Sequence, residues 1–140
     1  MKTFIDSSCA AVDFMCNLLG VEDRLHSSAL VCHADVPVAG VLFTRKVAES
    51  AIIGIWVEEA RKTPREWGHS VFNYAFNVLG LESLISYAAE DNAKSIAMTE
   101  RVGFHQIDSS PDGSVRVYCM RREDCWMLKS KKWGRHLEVH

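Results

Sequence analysis

The stretch from Asn73 to Phe104, NYAFNVLGLESLISYAAEDNAKSIAMTERVGF, contains the end of one helix, a strand and a complete second helix. The first helix stops at Gly80, since glycine is common just after the last helical residue. The segment LESLISYAAE then predicts a strand. NAKSIAMTERVG predicts a helix that Asn92 caps and Gly103 ends. The stretch therefore predicts a helix that crosses over to a neighbouring strand and is followed by another helix.

The N-terminal half predicts one helix and four strands. MKTFI can form a short strand, and SSCAAVDFMCNLLG predicts a helix with Ser7 or Ser8 as N-cap and Gly20 as its stop. Three strands follow in SALVCHA, VPVAGVLFTRKV and SAIIGIWVEE, separated by the turn-like DVP and AES. The third of these is nearly continuous in apolar residues, which predicts burial on both faces.

The period of the apolar residues becomes helical from Pro64 onward, which predicts the helix that ends at Gly80. At the C-terminal end, FHQIDSSPDGSVRVYCMRR predicts two strands around a Pro-Asp-Gly turn. The complete order is β-α-β-β-β-α-β-α-β-β. It predicts an α/β (α+β) fold, with a mixed, mainly antiparallel sheet flanked by helices.

Length and composition describe an ordinary globular protein. The chain has 140 residues, of which 48% are apolar and 24% charged, and its formal charge of −2 gives no whole-protein indication of nucleic-acid binding. We expect one domain over residues 1–128 and a basic tail over 129–140, KSKKWGRHLEVH. No signal peptide and no run of about 20 apolar residues is present, so we expect no membrane association.

Five cysteines without a paired CxxC spacing favour reduced thiols in a cytoplasmic protein over a disulfide framework or a metal site. The histidines give no support for a metal site either. His69 falls on the predicted central helix, where we expect it to be exposed to solvent. The sequence therefore predicts no metal cofactor.

The order of elements, together with Leu79-Gly80-Leu81, Asn92 with Ser95 and Gly103-Phe104, resembles the GCN5-related N-acetyltransferase (GNAT) family. The resemblance in element order covers almost the whole chain, and the motif similarity covers its second half. It implies acetyl transfer from acetyl-coenzyme A to an amine whose identity the sequence leaves open. It also implies that the coenzyme lies where the fourth and fifth strands diverge. The matching asparagine, Asn92, and Ser95 are then candidate coenzyme contacts, although Asn92 is equally explained as a helix N-cap.

In the family, the coenzyme pyrophosphate rests on a loop of the form Arg/Gln-x-x-Gly-x-Gly/Ala, which offers free backbone N–H groups at a helix start. Two alignments of EEARKTPREWGHS, residues 58–70, compete for this position. The segment 65–70 has the residue types of this motif, but this alignment leaves the central helix too short for the family. Keeping the helix length places Arg61 at the family's arginine, with Pro64 and Glu66 where glycines normally stand.

Local chemistry favours the second alignment, because Thr63, Pro64 and Glu66 have the pattern of a capping box with proline at the first helical position. A capping box would occupy part of the amide cradle. Arg61, Lys62 and Arg65 could instead hold a pyrophosphate through their side chains, next to Glu66. Both interpretations stay open: a capped helix with a basic rim, or a coenzyme site built on arginines.

The catalytic candidates follow from the same resemblance. Glu58 and Glu59 end the strand that lines the cleft and are the candidate bases, although each could simply be an exposed carboxylate. Backbone amides around Val57 are the candidate oxyanion donors. Many relatives carry a tyrosine acid at the position of Thr99, and a threonine hydroxyl is a poor general acid. Tyr87 and Tyr118 are alternative hydroxyls, each also explained as a sheet or core aromatic.

Within the family, the chain resembles small proteins of tailed phages, through AR-x-x-PR before the central helix and VYCMRREDCWML at residues 117–128. This resemblance implies an alternative function, a non-catalytic phage virion or accessory protein in the host cytoplasm or the virion. Such a protein would act through protein or DNA contacts. The basic residues around Trp133 in the tail could contact DNA phosphates or anchor a partner, or form a solubilising terminus.

Overall fold

The computed structural model describes residues 3–58 and 60–129, and these residues form one seven-stranded sheet. Its strands are β1 (Thr3–Asp6), β2 (Ser28–Ala34), β3 (Val36–Val47), β4 (Ser50–Val57), β5 (Ser83–Ala89), β6 (His105–Ser109) and β7 (Val115–Arg121). The spatial order is β1-β2-β3-β4-β5-β7-β6, and β4 and β5 alone run parallel. The predicted mixed sheet is confirmed.

Helices cover both faces of the sheet. They are α1 (Cys9–Leu19), α2 (Trp67–Asn73, continued by a π-helical turn over Tyr74–Val78), α3 (Ala93–Arg101) and the short α4 (Trp126–Lys129). The α1 helix buries Met15 against one face, and α2 buries Phe76 against the other. No helix in these described ranges is long and apolar enough to cross a membrane.

The α1 helix has the ends that the sequence predicts. Ser8 occupies the N-cap position, and Gly20 follows the last turn with a φ of 71°, in the left-handed region that glycine adopts without strain. Its contact with the sheet involves a second glycine. A Cβ atom on Gly40 of β3 would lie 2.3 Å from the Met15 sulfur, so a larger residue there would force the flexible Met15 side chain to move.

The start of α2 differs from the prediction. The helix begins at Trp67 with Glu66 as N-cap, three residues later than the predicted start at Pro64, so the proposed cap by Thr63 is wrong. The chain first makes a 3₁₀ turn over Ala60–Lys62, and the Trp67 N–H donates to the Pro64 carbonyl at 3.1 Å. Burial of Trp67 explains the difference, because packing of an apolar face stabilises a helix more than local capping does.

The burial of His69 also differs from the prediction. Its exposed fraction is 6%, whereas the sequence suggested a solvent-exposed side chain. The residues around it on α2 are buried as well, with Ser70 at 2% and Val71 at 5% exposed. The first turns of α2 are therefore covered on more than the one stripe that the apolar period indicates.

Strands β4 and β5 diverge along their length. They pair from Ser50 with Ser83 to Ile52 with Ile85, and β4 then continues without this pairing to Val57. The predicted burial of β4 on both faces is therefore wrong for this end, where Val57 is 43% exposed. Divergence removes the neighbouring strand that would have covered these apolar side chains.

The β6–β7 hairpin closes through the predicted Pro-Asp-Gly turn. Gly113 has a φ of 75°, and its N–H donates to the Ser110 carbonyl at 2.9 Å. Hydrogen bonds from Ser114 and Ser110 lower the pKa of the Asp112 carboxyl to about 2. The ionised Asp112 carboxylate therefore stabilises the turn by accepting hydrogen bonds from Ser110 and Ser114.

Candidate functional site

An open cleft of about 620 Å³ lies where β4 and β5 diverge, beside the start of α3. Four of the residues predicted from the resemblance line it, namely Val57, Glu58, Asn92 and Ser95. Residues as far apart as 57 and 95 in the sequence thus lie on one surface. The other lining residues are Ile55, Thr63, Lys94 and Met98.

A second, smaller cavity of about 120 Å³ adjoins the cleft, since Ile55, Val57 and Met98 line both spaces. It lies in the helical layer, between α2, α3 and α4 above the sheet. Thr99 forms part of its wall and is 6% exposed. The predicted acid position thus faces a mainly apolar space.

The orientation of the β4 backbone at the cleft follows from one hydrogen bond. The Glu58 N–H donates to the Val38 carbonyl at 2.9 Å, so this peptide group points toward β3. Successive peptide groups along a strand point to opposite edges. The Val57 N–H therefore points toward β5 and the cleft, where it can donate to an oxygen of a bound molecule.

The α3 helix begins at the mouth of the cleft. The Asn92 side-chain oxygen accepts from the Ser95 N–H at 3.1 Å, so Asn92 is the N-cap. Such a cap contributes about 0.5–2 kcal/mol of stability. Lys94 lies in the first turn, where the helix dipole favours negative charge. An anion bound at the mouth would be attracted by both this ammonium and the helix start.

The two alternative hydroxyls lie on opposite faces of the sheet. Tyr118 is fully buried on the α3 side, and its hydroxyl donates to the Glu100 carboxylate at 2.7 Å. Burial, together with this hydrogen bond, raises the pKa of Tyr118. Tyr87 is 53% exposed and lies beside Ile52 in a pocket formed with the loop after α1. Neither tyrosine lines the cleft or the cavity beside it.

The predicted pyrophosphate residues lie next to the cleft rather than in its wall. Arg61 and Lys62 are exposed residues of the 3₁₀ turn that precedes Thr63, and Thr63 itself lines the cleft. Arg65 is exposed, and Glu66 is half-buried at the N-cap of α2. Arg61, Lys62 and Arg65 therefore lie within two positions in the sequence of Thr63, which belongs to the cleft wall.

Two predictions lie outside the described residues, namely Glu59 as the second candidate base and the role of the tail from residue 130 onward. Within the described ranges, no group of three or more metal-ligating side chains lies together, and the five thiols are free.

A third pocket, of about 540 Å³, lies on the opposite face of the sheet, on the α1 side. Glu22 and Asp23 from the loop after α1 line it together with Arg45, Ile52 and Tyr87. Because Ile52 is the last β4 residue paired with β5, this pocket borders the point at which the strands diverge.

Sequence reasoning missed Thr63 and Lys94 as wall residues. The sequence around Thr63 predicts a helix cap, whereas in the structure Thr63 lines the cleft and Glu66 is the N-cap. Lys94 did carry a usable signal, because a cation at the second residue after an N-cap opposes the helix dipole. Such a residue favours an anion nearby.

The comparisons with known proteins concern the same fold. The model of the acetyltransferase (GNAT) domain family matches residues 13–105. A search against curated protein sequences finds no significant match. Spermidine N-acetyltransferase from Vibrio cholerae superposes with a TM-score of 0.70 at 15% identity, over 92% of this chain and 98% of that one.

The N-acetyltransferase PseH of Campylobacter jejuni, solved in complex with acetyl coenzyme A, superposes with a TM-score of 0.59 at 14% identity. The alignment covers 79% of this chain and 81% of PseH. At such identities the structural likeness concerns the fold alone. The family match extends from α1 to the start of β6 and includes both diverging strands and the helices beside them. This chain therefore belongs to the GNAT acetyltransferase family.

Proposed function

We propose that the protein is an N-acetyltransferase that transfers an acetyl group from acetyl-coenzyme A to an amine. The observation that supports this most strongly is the divergence of β4 and β5, which directs the Val57 N–H into an open cleft beside Glu58. A hydrogen-bond donor and a carboxylate at one site are what acyl transfer to an ammonium group requires.

The cationic side chains in and beside the cleft favour an anionic coenzyme. Lys94 lies in its wall, and Arg61, Lys62 and Arg65 lie beside it, so cationic side chains could hold the pyrophosphate where the family uses backbone amides of glycines. Asn92 and Ser95 could contact the pantetheine arm. Acetyl-coenzyme A would supply the activated thioester.

In the proposed reaction Glu58, or Glu59 next to it, accepts a proton from the acceptor ammonium. The Val57 N–H donates to the carbonyl oxygen as this oxygen gains negative charge. The amine nitrogen bonds to the acyl carbon and the carbon–sulfur bond breaks. The nitrogen releases its second proton to solvent, and the sulfur takes up a proton from a donor that solvent reprotonates. Thr99 is the proposed donor on the cavity side, and its hydroxyl is a weak acid, so we expect a slow reaction.

The acceptor would approach from the α1 side of the sheet, where Glu22 and Asp23 line the pocket that borders the divergence. The charged side chains that line this pocket, Glu22, Asp23 and Arg45, have a formal sum of −1, and this negative sum favours a cationic molecule. The solved neighbour from Vibrio cholerae is named for acetylation of spermidine, which is such a molecule. We propose a cationic amine as the acceptor, without assigning a particular one.

A second candidate is a non-catalytic protein of this fold, acting through protein or DNA contacts as a phage virion or accessory protein. The loop without glycines supports it, since Pro64 offers no N–H and Glu66 brings a carboxylate near the expected phosphate position. In this case the domain would occupy residues 1–128 in a host cytoplasm or virion. The basic tail over 129–140 would supply the contact.

Mass spectrometry of amines incubated with the protein and acetyl-coenzyme A distinguishes the two candidates. The panel contains spermidine, other cationic amines and neutral amines of similar size. We expect a mass increase of one acetyl group on cationic amines at a rate above the enzyme-free reaction. An absence of acetylation across the panel, together with no binding of acetyl-coenzyme A, would favour the non-catalytic candidate.

A further inference from the structure

The small cavity beside the cleft has an almost entirely apolar wall. Val71 and Phe72 of α2 form one side, and Met98 of α3 with its C-cap residue Val102 forms another. Met127 of α4 lines it as well. The polar groups among its lining side chains are the hydroxyls of Ser86 and Thr99 and the indole N–H of Trp67. A space of this composition attracts hydrocarbon, whereas a water molecule needs two to four polar partners.

The cavity depends on a close contact between α2 and α4. A Cβ atom on Gly68 would lie 3.1 Å from the sulfur of Met127, so the bare glycine leaves room for this thioether. The neighbouring residue in α4 contacts α3, since the Trp126 indole N–H donates to the Arg101 carbonyl at 3.2 Å. The short α4 helix is thus anchored to both helices. Its methionine is a flexible side chain that can adjust to an occupant.

The volume of the cavity exceeds the needs of an acetyl group. A protein cavity of about 150 Å³ lined by apolar side chains binds benzene, a molecule of six carbons. By this measure the 120 Å³ observed would hold about four or five carbons, enough for the whole four-carbon chain of a butyryl group with its carbonyl carbon at the edge that Val57 lines. An acetyl methyl group would leave most of the space unfilled, and unfilled apolar space forfeits packing contacts.

We propose that this cavity binds the hydrocarbon end of the acyl group, and that the preferred donor is a coenzyme A thioester with an acyl chain of about four carbons. The inference rests on the proposed function, because it places the thioester in the adjoining cleft. Ile55, Val57 and Met98 line both spaces, so a chain that extends beyond the acyl carbonyl near Val57 can enter the cavity. The specificity-determining side chains are then Val102 and Met127.

Calorimetric titration with coenzyme A, acetyl-, butyryl- and octanoyl-coenzyme A tests this inference. We expect butyryl-coenzyme A to bind about tenfold more tightly than acetyl-coenzyme A, because two additional methylene groups leave water. The octanoyl thioester should lose this advantage, since its chain exceeds the cavity. Equal affinities for the acetyl and butyryl thioesters would overturn the inference and leave the proposed function intact. Failure of all four ligands to bind would instead overturn the proposed function.

Two cavity variants and one control sharpen the test. Val102→Phe should fill the cavity and remove the butyryl advantage, so that acetyl- and butyryl-coenzyme A bind this variant with similar affinity. The control Val78→Phe makes the same change at a position that is 62% exposed and should keep the advantage. Should Val102→Phe fail to fold, Met127→Ala enlarges the cavity and should shift the preference toward a hexanoyl chain. An unchanged chain-length preference in both cavity variants would contradict the proposal.

Discussion

Replacement of Glu58 by glutamine is expected to lower kcat/KM for an amine acceptor by about 10²- to 10⁴-fold, the usual contribution of a positioned general base. The carboxylate lies at the end of β4 and in the cleft wall. The hydrogen bond from its own N–H to the Val38 carbonyl fixes the backbone there at 2.9 Å. Glutamine keeps the shape of the side chain but accepts no proton, so the acceptor ammonium would stay charged.

The pH dependence separates this role from a structural one. An alkyl ammonium loses its proton near pH 10, so the Glu58→Gln enzyme should recover much of its rate as the pH rises toward 10. Glu49→Gln is the matched control, because Glu49 is exposed in the turn before β4, at the opposite end of that strand from Glu58. Initial rates from pH 7 to 10 give the comparison. A Glu58→Gln rate equal to wild type at pH 7 would exclude Glu58 as the base and favour Glu59.

Replacement of Val57 by proline is expected to lower kcat by about 10²- to 10³-fold, the effect of losing one oxyanion donor. Proline removes the N–H that points into the cleft. The ladder between β3 and β4 should survive, because its hydrogen bond at this end comes from the Glu58 N–H. The strand conformation of Trp56 is also compatible with a following proline.

Trp56→Pro is the control for this variant. The Trp56 N–H points toward β3, where Trp56 pairs with Gly40, so its loss breaks the ladder. Urea unfolding should therefore show a marked loss of stability for Trp56→Pro and a smaller one for Val57→Pro. Acetylated product, measured by mass spectrometry, gives kcat. Full activity in a folded Val57→Pro protein would show that another group stabilises the oxyanion.

The sequence predicts elements whose ends carry local chemical signals. Gly20 and Gly103 end helices because they adopt positive φ values, and Asn92 caps α3 through its own side chain. These signals act within a few residues and can be recognised without the tertiary structure. The order of strands and helices, and with it the mixed sheet, follows from them.

The start of α2 shows where local reasoning stops being sufficient. Thr63, Pro64 and Glu66 have the spacing of a capping box, yet the helix begins at Trp67 and Thr63 lines the cleft. The burial of Trp67 and His69 depends on the sheet and on neighbouring helices that the local pattern does not contain. Tertiary packing decides this helix start.

The sequence predicts the residues of the candidate site only where they match motifs of the family. The sequence predicts four site residues that the structure brings together in one cleft, namely Val57, Glu58, Asn92 and Ser95. Their chemical roles are proposals. The apolar cavity had no sequence signal, because it requires α4 to pack against α2 at Gly68. Contacts between segments so distant in the chain leave no periodic pattern.

Backbone NMR of the uniformly ¹⁵N-labelled protein, titrated with acetyl-coenzyme A, tests most directly whether the diverging strands bind the coenzyme. We expect saturable chemical-shift changes that are largest for the amides of Val57, Thr63 and Ser95. Coenzyme A without the acetyl group should reproduce the changes at Thr63 and Ser95 and reduce those at Val57. Unchanged spectra at millimolar acetyl-coenzyme A, or changes confined to residues remote from β4 and α3, would contradict binding in this cleft.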